Sequence, residues 1–235
     1  MNSAHLHPRD RLIVALDFPS QPKALALVAA LGDSVSFYKI GLELYTAAGP
    51  AIVQAVAAAG AQVFLDLKLH DIPTTVAKAV TAAAAQPGIK LLTLHLSGGR
   101  AMLDAAVKVK PPGLSLLGVT VLTSSNEETL RETGVAPAVQ EQALRLGQLG
   151  KDAGIDGLIT SPREAAALRE QLGKEILLVT PGIRPAWAAA DDQKRFTTPA
   201  EAFAAGADYL VIGRPITAAA DPRAAVERIV AEFGQ

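Results

Sequence analysis

The sequence contains no cysteine. This excludes disulfides, a thiol nucleophile and any zinc site built on cysteine, and it is compatible with a reducing compartment. A net charge is almost absent as well: 22 Lys and Arg stand against 23 Asp and Glu. There is no basic field for nucleic acid and no basic helix for a membrane surface, so a small or locally charged ligand is the partner class left open. No apolar run reaches the roughly 18 residues of a membrane span. The opening MNSAHLHPRD is polar and lacks the apolar core of a signal peptide. A cytoplasmic location is therefore expected. No Pro/Ser-rich linker divides the 235 residues, half of which are hydrophobic. The expected organisation is a loosely packed tail over 1–10 and one domain over 11–235.

What is present is a repeat. Short apolar runs at 12–17, 35–41, 62–68, 91–97, 114–122, 157–161, 176–182 and 209–214 read as strands. Ala-rich stretches of helical length separate them, among them 44–59, 74–86, 101–108, 137–153, 162–172, 199–205 and 220–232. The period of about 28 residues suits one strand, one helix and two turns. Gly60 and Gly206 stand between a helix and the next strand, where glycine takes the left-handed cap. Strict β/α alternation predicts a parallel sheet covered by helices, and eight units predict closure into a (β/α)8 barrel. An open doubly wound sheet is the alternative, but no GxGxxG follows the first strand.

In such barrels the chemistry lies at the C-terminal strand ends. Those ends carry Asp17, Lys39, Asp66, Lys68, His95, Ser97, Thr123, Ser124, Arg184, Gly213 and Arg214. In FLDLKLHD, alternation puts Leu65, Leu67 and Leu69 on one face, toward the helices. Phe64, Asp66, Lys68 and His70 take the other, toward the barrel interior. A buried Lys beside a buried Asp is costly unless paired, and Asp71 adds a second carboxylate just past the strand. The same residues also fit a structural ion pair tying the strand to its loop. Lys39 shares the inner face with Phe37, and Asp17 with Ile13 and Ala15. Thr93, His95 and Ser97 share a face on the fourth strand, with His95 read as a hydrogen-bonded part of the site or core. The seventh and eighth strands end in TPGIRP and IGRP, where barrels often bind phosphate. Gly182 and Gly213 allow backbone N–H groups to approach it, and Arg214 offers a bidentate contact. With no Walker loop and no obvious Mg²⁺ cage, phosphate reads as a handle rather than the reacting group. The stretch 185–199 reads as a candidate mobile loop.

Seven segments, in order along the chain, carry a family resemblance: VALDFPS (14–20), YKIGLELY (38–45), FLDLKLHDIPTTV (64–76), VTVLTS (119–124), LVTPGIRP (178–185), DDQKR (191–195) and DYLVIGRPI (208–216). Together they resemble the bacterial type of the orotidine 5′-phosphate decarboxylase family, with DxKxxDIPxT the most specific part. The resemblance implies a cofactor-free decarboxylase of a pyrimidine nucleotide that holds no metal. Lys68 would protonate C6 of the base, flanked by Asp66 and Asp71. Asp17 would hold the ribose, with Lys39 beside it in the charge network. Thr123 or Ser124 would contact the base. Arg184, Gln193, Gly213 and Arg214 would grip the 5′-phosphate. It also implies a homodimer with shared sites, in which Asp71, Ile72 and Thr75 reach the partner's substrate.

The chemistry agrees with that expectation. Loss of CO2 from C6 leaves a localised carbanion, for which decarboxylases generally borrow an electron sink. No motif for pyridoxal phosphate or thiamine is evident, so a fixed ammonium must supply the stabilisation. Two other readings compete. One is a sister barrel, a metal-dependent hexulose-phosphate synthase or keto-gulonate-phosphate decarboxylase, in which a carboxylate on the second strand helps hold Mg²⁺. Lys39 occupies that place here. The other is a non-catalytic phosphate-binding barrel, which has no need of costly buried charge at Asp66, Lys68 and Asp71.

Overall fold

A computed structural model describes residues 7–136, 138–188 and 197–233. The apolar runs form β1 (Leu12–Ala15), β2 (Phe37–Gly41), β3 (Gln62–Leu69), β4 (Ile89–His95), β5 (Ser115–Val119), β6 (Gly157–Ile159), β7 (Leu177–Pro181) and β8 (Tyr209–Ile212). Every neighbouring pair is parallel, and β8 pairs with β1 to close the barrel. The helices are α1 (Gln21–Leu31), α2 (Leu42–Ala48), α3 (Pro50–Ala58), α4 (Pro73–Ala84), α5 (Arg100–Val109), α6 (Glu127–Glu132), α7 (Val139–Asp152), α8 (Pro162–Leu172), α9 (Pro199–Ala204), α10 (Arg214–Thr217) and α11 (Pro222–Ala231). None is long and apolar enough to cross a membrane, among the described residues.

Strands of a parallel barrel are buried on both faces and so read as apolar runs. The core accordingly has two layers. Ile13, Ala15, Phe37, Phe64, Leu91, Leu117, Val179 and Val211 pack inside the barrel. Leu12, Val14, Tyr38, Ile40, Val63, Leu65, Leu92 and Leu210 point outward and meet the helices. Each fully buried Leu or Ile contributes about 1.5–3 kcal/mol. The inner layer also floors the site: at the C-terminal strand ends its apolar side chains give way to Lys39, Asp66 and Lys68.

Three elements differ from expectation. The helix expected over 44–59 is two helices, because Gly49 sits at φ +61° and Pro50 starts α3. Proline fits the first helical position, where its missing N–H has no partner to lose. The strand expected over 114–122 ends at Val119, and 120–126 turns into the mouth ahead of α6. Third, β3 bulges against β4: Leu65 pairs with Leu92, but the next partners are Leu69 and Leu94. At the opposite end, residues 1–6 of the expected tail lie outside the described residues. Pro8–Arg11 forms a 3₁₀ turn, and Asp10 accepts a hydrogen bond from Ser36 Oγ at 3.1 Å.

Candidate active site

The bulge in β3 builds the centre of the site. Lys68 adopts φ +52°, a left-handed value otherwise held only by glycines among the described residues. Its Nζ donates to both carboxylate oxygens of Asp66, at 2.9 Å each. Lys39, reaching up from β2, places Nζ 2.8 Å from Asp17 Oδ1 and 3.8 Å from Asp66 Oδ2. Asp17, Lys39, Asp66 and Lys68 thus form a row of alternating charge across three adjacent strands. Asp66 is only 8% exposed. Two ammonium groups and the Thr93 hydroxyl, whose proton it accepts at 2.9 Å, offset its desolvation. Gly41 leaves room for this row, since a Cβ there would stand 3.0 Å from Lys39 Nζ.

Above the row opens a cavity of about 220 Å³. Lys39, Asp66 and Lys68 line one side, and Phe64, Val119, Val121, Leu122, Ile159, Pro181 and Val211 supply apolar surface. Thr123 lines it too, whereas Ser124 does not. A larger cavity of about 700 Å³ adjoins it through Val121, Leu122, Thr123 and Pro181. The larger space holds neither lysine; the charged row opens only into the smaller one. One end of this mouth is therefore charged and the other apolar, the arrangement of a ligand site with few orienting groups.

The seventh and eighth strand ends face the same mouth. Gly182 takes φ +77° after β7. Ile183 bridges to Thr197, and Arg184 N–H donates to the Thr197 carbonyl at 3.1 Å. The Arg228 guanidinium lies over the Trp187 ring, 4.5 Å from the ring centroid. Gln193 lies outside the described residues. Gly213 abuts the first strand: a methyl added there would stand 3.6 Å from Ala15 Cβ and 3.9 Å from Asp17 Oδ2. Arg214 follows as the exposed first residue of α10.

The profile of the "Orotidine 5'-phosphate decarboxylase / HUMPS family" matches residues 10–229. The chain belongs to this family. An orotidine 5′-phosphate decarboxylase of Opitutus terrae is 55% identical over 225 residues, covering 94% of this chain and 97% of that protein. One of Nitrosococcus oceani is 50% identical over 228 residues, covering 96% and 98%. The crystal structure of the orotidine 5′-phosphate decarboxylase of Lactobacillus acidophilus superposes with a TM-score of 0.85 at 38% identity, covering 96% of this chain and all of that one.

Within the family frame, the sequence-derived residues divide into two groups. Asp17, Lys39, Asp66, Lys68 and Thr123 come together in one mouth. Asp71 does not join them within the chain: its Oδ1 accepts the N–H of Ile72 at 2.6 Å, and Asp71, Ile72 and Thr75 are all exposed. His70 is exposed as well, and its ring lies tilted against that of His95, centroids 5.4 Å apart; His95 is half-buried beside the row. Burial, above all, holds the His95 imidazole below its ordinary pKa, with the His70 ring and the Lys68 ammonium acting in the same direction. Sequence reading gave Thr93 no role, and the apolar wall of Val121, Leu122 and Ile159 went unremarked. Thr93 had one signal: it shares the inner face of β4 with His95.

Proposed function

We propose that this protein decarboxylates orotidine 5′-monophosphate to uridine 5′-monophosphate, in the cytoplasm and without a cofactor. The observation that carries the reading is the row Asp17–Lys39–Asp66–Lys68, which aims a paired ammonium into a half-apolar cavity. The relatives named above carry the same activity in their names over nearly their full length.

In this reading the C6–carboxylate bond breaks heterolytically, CO2 departs, and the electron pair stays on C6. The Lys68 ammonium stabilises the developing charge and delivers its proton to C6. The resulting amine regains a proton from solvent. Asp66 orients the ammonium with both oxygens. Asp17 and Lys39 hold the ribose, and Thr123 the base. Arg184, Gln193, Gly213 and Arg214 bind the 5′-phosphate, whose binding energy closes the site and excludes water.

The family also includes metal-dependent sugar-phosphate chemistry, so the substrate needs its own argument. In the sister enzymes a carboxylate on the second strand helps hold Mg²⁺. Here Lys39 places an ammonium 3.8 Å from Asp66, where it repels a divalent cation. Loss of the orotate absorbance on mixing with orotidine 5′-monophosphate tests the reading, in buffer and in excess chelator. Equal rates are expected. Turnover that vanishes with chelator and returns with Mg²⁺ overturns it.

The site is proposed to be completed in a homodimer. Asp71, Ile72 and Thr75 are exposed and do not line the cavity over their own Lys68, and Ile72 is 65% exposed. Lys68→Ala and Asp71→Ala homodimers should each be nearly inactive. Mixing and reassembling them should restore activity, because one site of each heterodimer receives both defects and the other neither. Heterodimers that form without recovery rule out the shared site.

A further inference from the structure

The bulge in β3 raises a question of main-chain bonding. Between the pairs Leu65–Leu92 and Leu69–Leu94, β3 advances four residues while β4 advances two. The parallel ladder is interrupted there, so the Lys68 N–H needs a partner from elsewhere. It finds Thr93 Oγ1 at 2.8 Å. The same hydroxyl donates to Asp66 Oδ1 at 2.9 Å. A threonine hydroxyl has one proton to give and lone pairs to accept with, so the two bonds use it in complementary directions. Asp66 Oδ1 in turn accepts from Lys68 Nζ. The result is a closed ring: Asp66 carboxylate, Lys68 ammonium, Lys68 main chain, Thr93 hydroxyl and back to Asp66.

We propose that Thr93 is a positioning residue for decarboxylation. It is completely buried and does not line the cavity over the lysines. Its hydroxyl holds Lys68 in the left-handed conformation (φ +52°) that few non-glycine residues adopt. It also tethers Asp66 Oδ1, one of the two oxygens that meet the ammonium. Without it, the bulge loses its main-chain anchor and Asp66 loses its one neutral donor. The ammonium then samples positions away from the reacting carbon, and catalysis is sensitive to displacements of that size. A core threonine that only satisfies its own polarity would affect stability and leave the chemistry alone.

The inference rests on the reading of Lys68 as the proton donor, and the experiment separates the two. Thr93→Val keeps the shape and removes the hydroxyl; Thr93→Ser keeps the hydroxyl. These variants, Lys68→Ala and the unaltered protein are compared by kcat and KM for orotidine 5′-monophosphate, Kd for uridine 5′-monophosphate and melting temperature. Thr93→Val should lose roughly 10- to 100-fold in kcat while KM and the nucleotide Kd hold. Thr93→Ser should recover most of that loss. A Thr93→Val protein with lowered stability but full kcat overturns the proposal, as does Thr93→Ser remaining as slow as Thr93→Val. If Thr93→Val does not fold, Thr93→Ala takes its place; failure of both assigns the hydroxyl to the fold and overturns the proposal. Near-normal turnover in Lys68→Ala instead refutes the role of Lys68, whatever the Thr93 variants do.

Discussion

Both ends of the barrel carry partly buried ion pairs, but the pairs are bonded differently. At the N-terminal end, Asp208 accepts from Arg169 at 2.7 Å and from the backbone N–H of Leu178 at 2.8 Å. Arg169 also donates to the carbonyls of Gly173, Ile176 and Gly206. Asp156 pairs with Lys110 and accepts the N–H of Leu116, and Arg11 donates to the carbonyls of Ala207 and Asp208. These charges close off main-chain groups where strands begin. At the C-terminal end, the side chains of Asp17, Lys39, Asp66 and Lys68 bond to one another, and Thr93 links the row to the backbone. Charges fixed to the main chain serve the fold. Charges fixed to each other can exchange a partner for a substrate.

The comparison breaks most sharply on Lys68→Ala. Removing a mouth side chain opens no core cavity, so the variant should fold, with a lowered melting temperature because buried Asp66 keeps only Lys39 and Thr93 as partners. Electrostatic stabilisation and the proton source go together, so turnover should fall by at least about 10³-fold. Nucleotide 5′-phosphate binding should persist. Decarboxylation, affinity and thermal unfolding measured on one preparation test all three. Near-normal turnover would return Lys68 to the structural class of the opposite end.

Asp208→Ala is the reciprocal case. It strips Arg169 of its carboxylate and the Leu178 N–H of its acceptor, both well buried. Breaking such a pair from one side costs about 3–5 kcal/mol. Urea unfolding should register that loss, while kcat of the folded fraction holds. A kcat that falls with stability intact would mean the two ends are coupled through the strands.

Arg214→Ala sharpens the comparison within the mouth itself. Loss of one charge-assisted contact is worth about 1.5–3 kcal/mol, and it should appear in kcat/KM for the phosphorylated substrate. The low activity on phosphate-free orotidine should be nearly unchanged. Equal losses on both substrates would place Arg214 in folding or at the reacting centre.

How far the sequence reached depended on whether a feature was local. Strands appeared as apolar runs because both faces are buried, and Gly60 and Gly206 marked the turns with φ of +83° and +100°. Alternation placed Phe64 and Asp66 inward and Leu65 outward, as found. The split at Gly49 and Pro50 was visible, but the Ala-rich run around it dominated the helical pattern. Val121 and Leu122 read as strand because they are apolar, and in fact they face the mouth cavity. The bulge was not legible at all. It exists only in the register of β3 against β4, which no window on either strand contains, and the role of Thr93 depends on it.

The smallest expected effect concerns acid, and it separates the ends by titration rather than by deletion. His95 sits beside the row at the mouth. Burial is the main reason its pKa lies below the ordinary 6.5, followed by the His70 ring and the Lys68 ammonium, with Asp66 acting in the opposite direction. The folded state therefore favours neutral His95. Above pH 6.5 the imidazole is neutral in both folded and unfolded chains, and no stability is lost through it. As the pH falls below 6.5 the unfolded chain takes up the proton first, so stability declines until the folded pKa is passed. His95→Gln removes this titration. Its unfolding free energy, followed by urea between about pH 5 and 7.5, should fall less steeply with acid than that of the unaltered protein. Superimposable slopes would show that His95 exchanges no proton on unfolding, and that the mouth adds nothing to acid sensitivity through this residue.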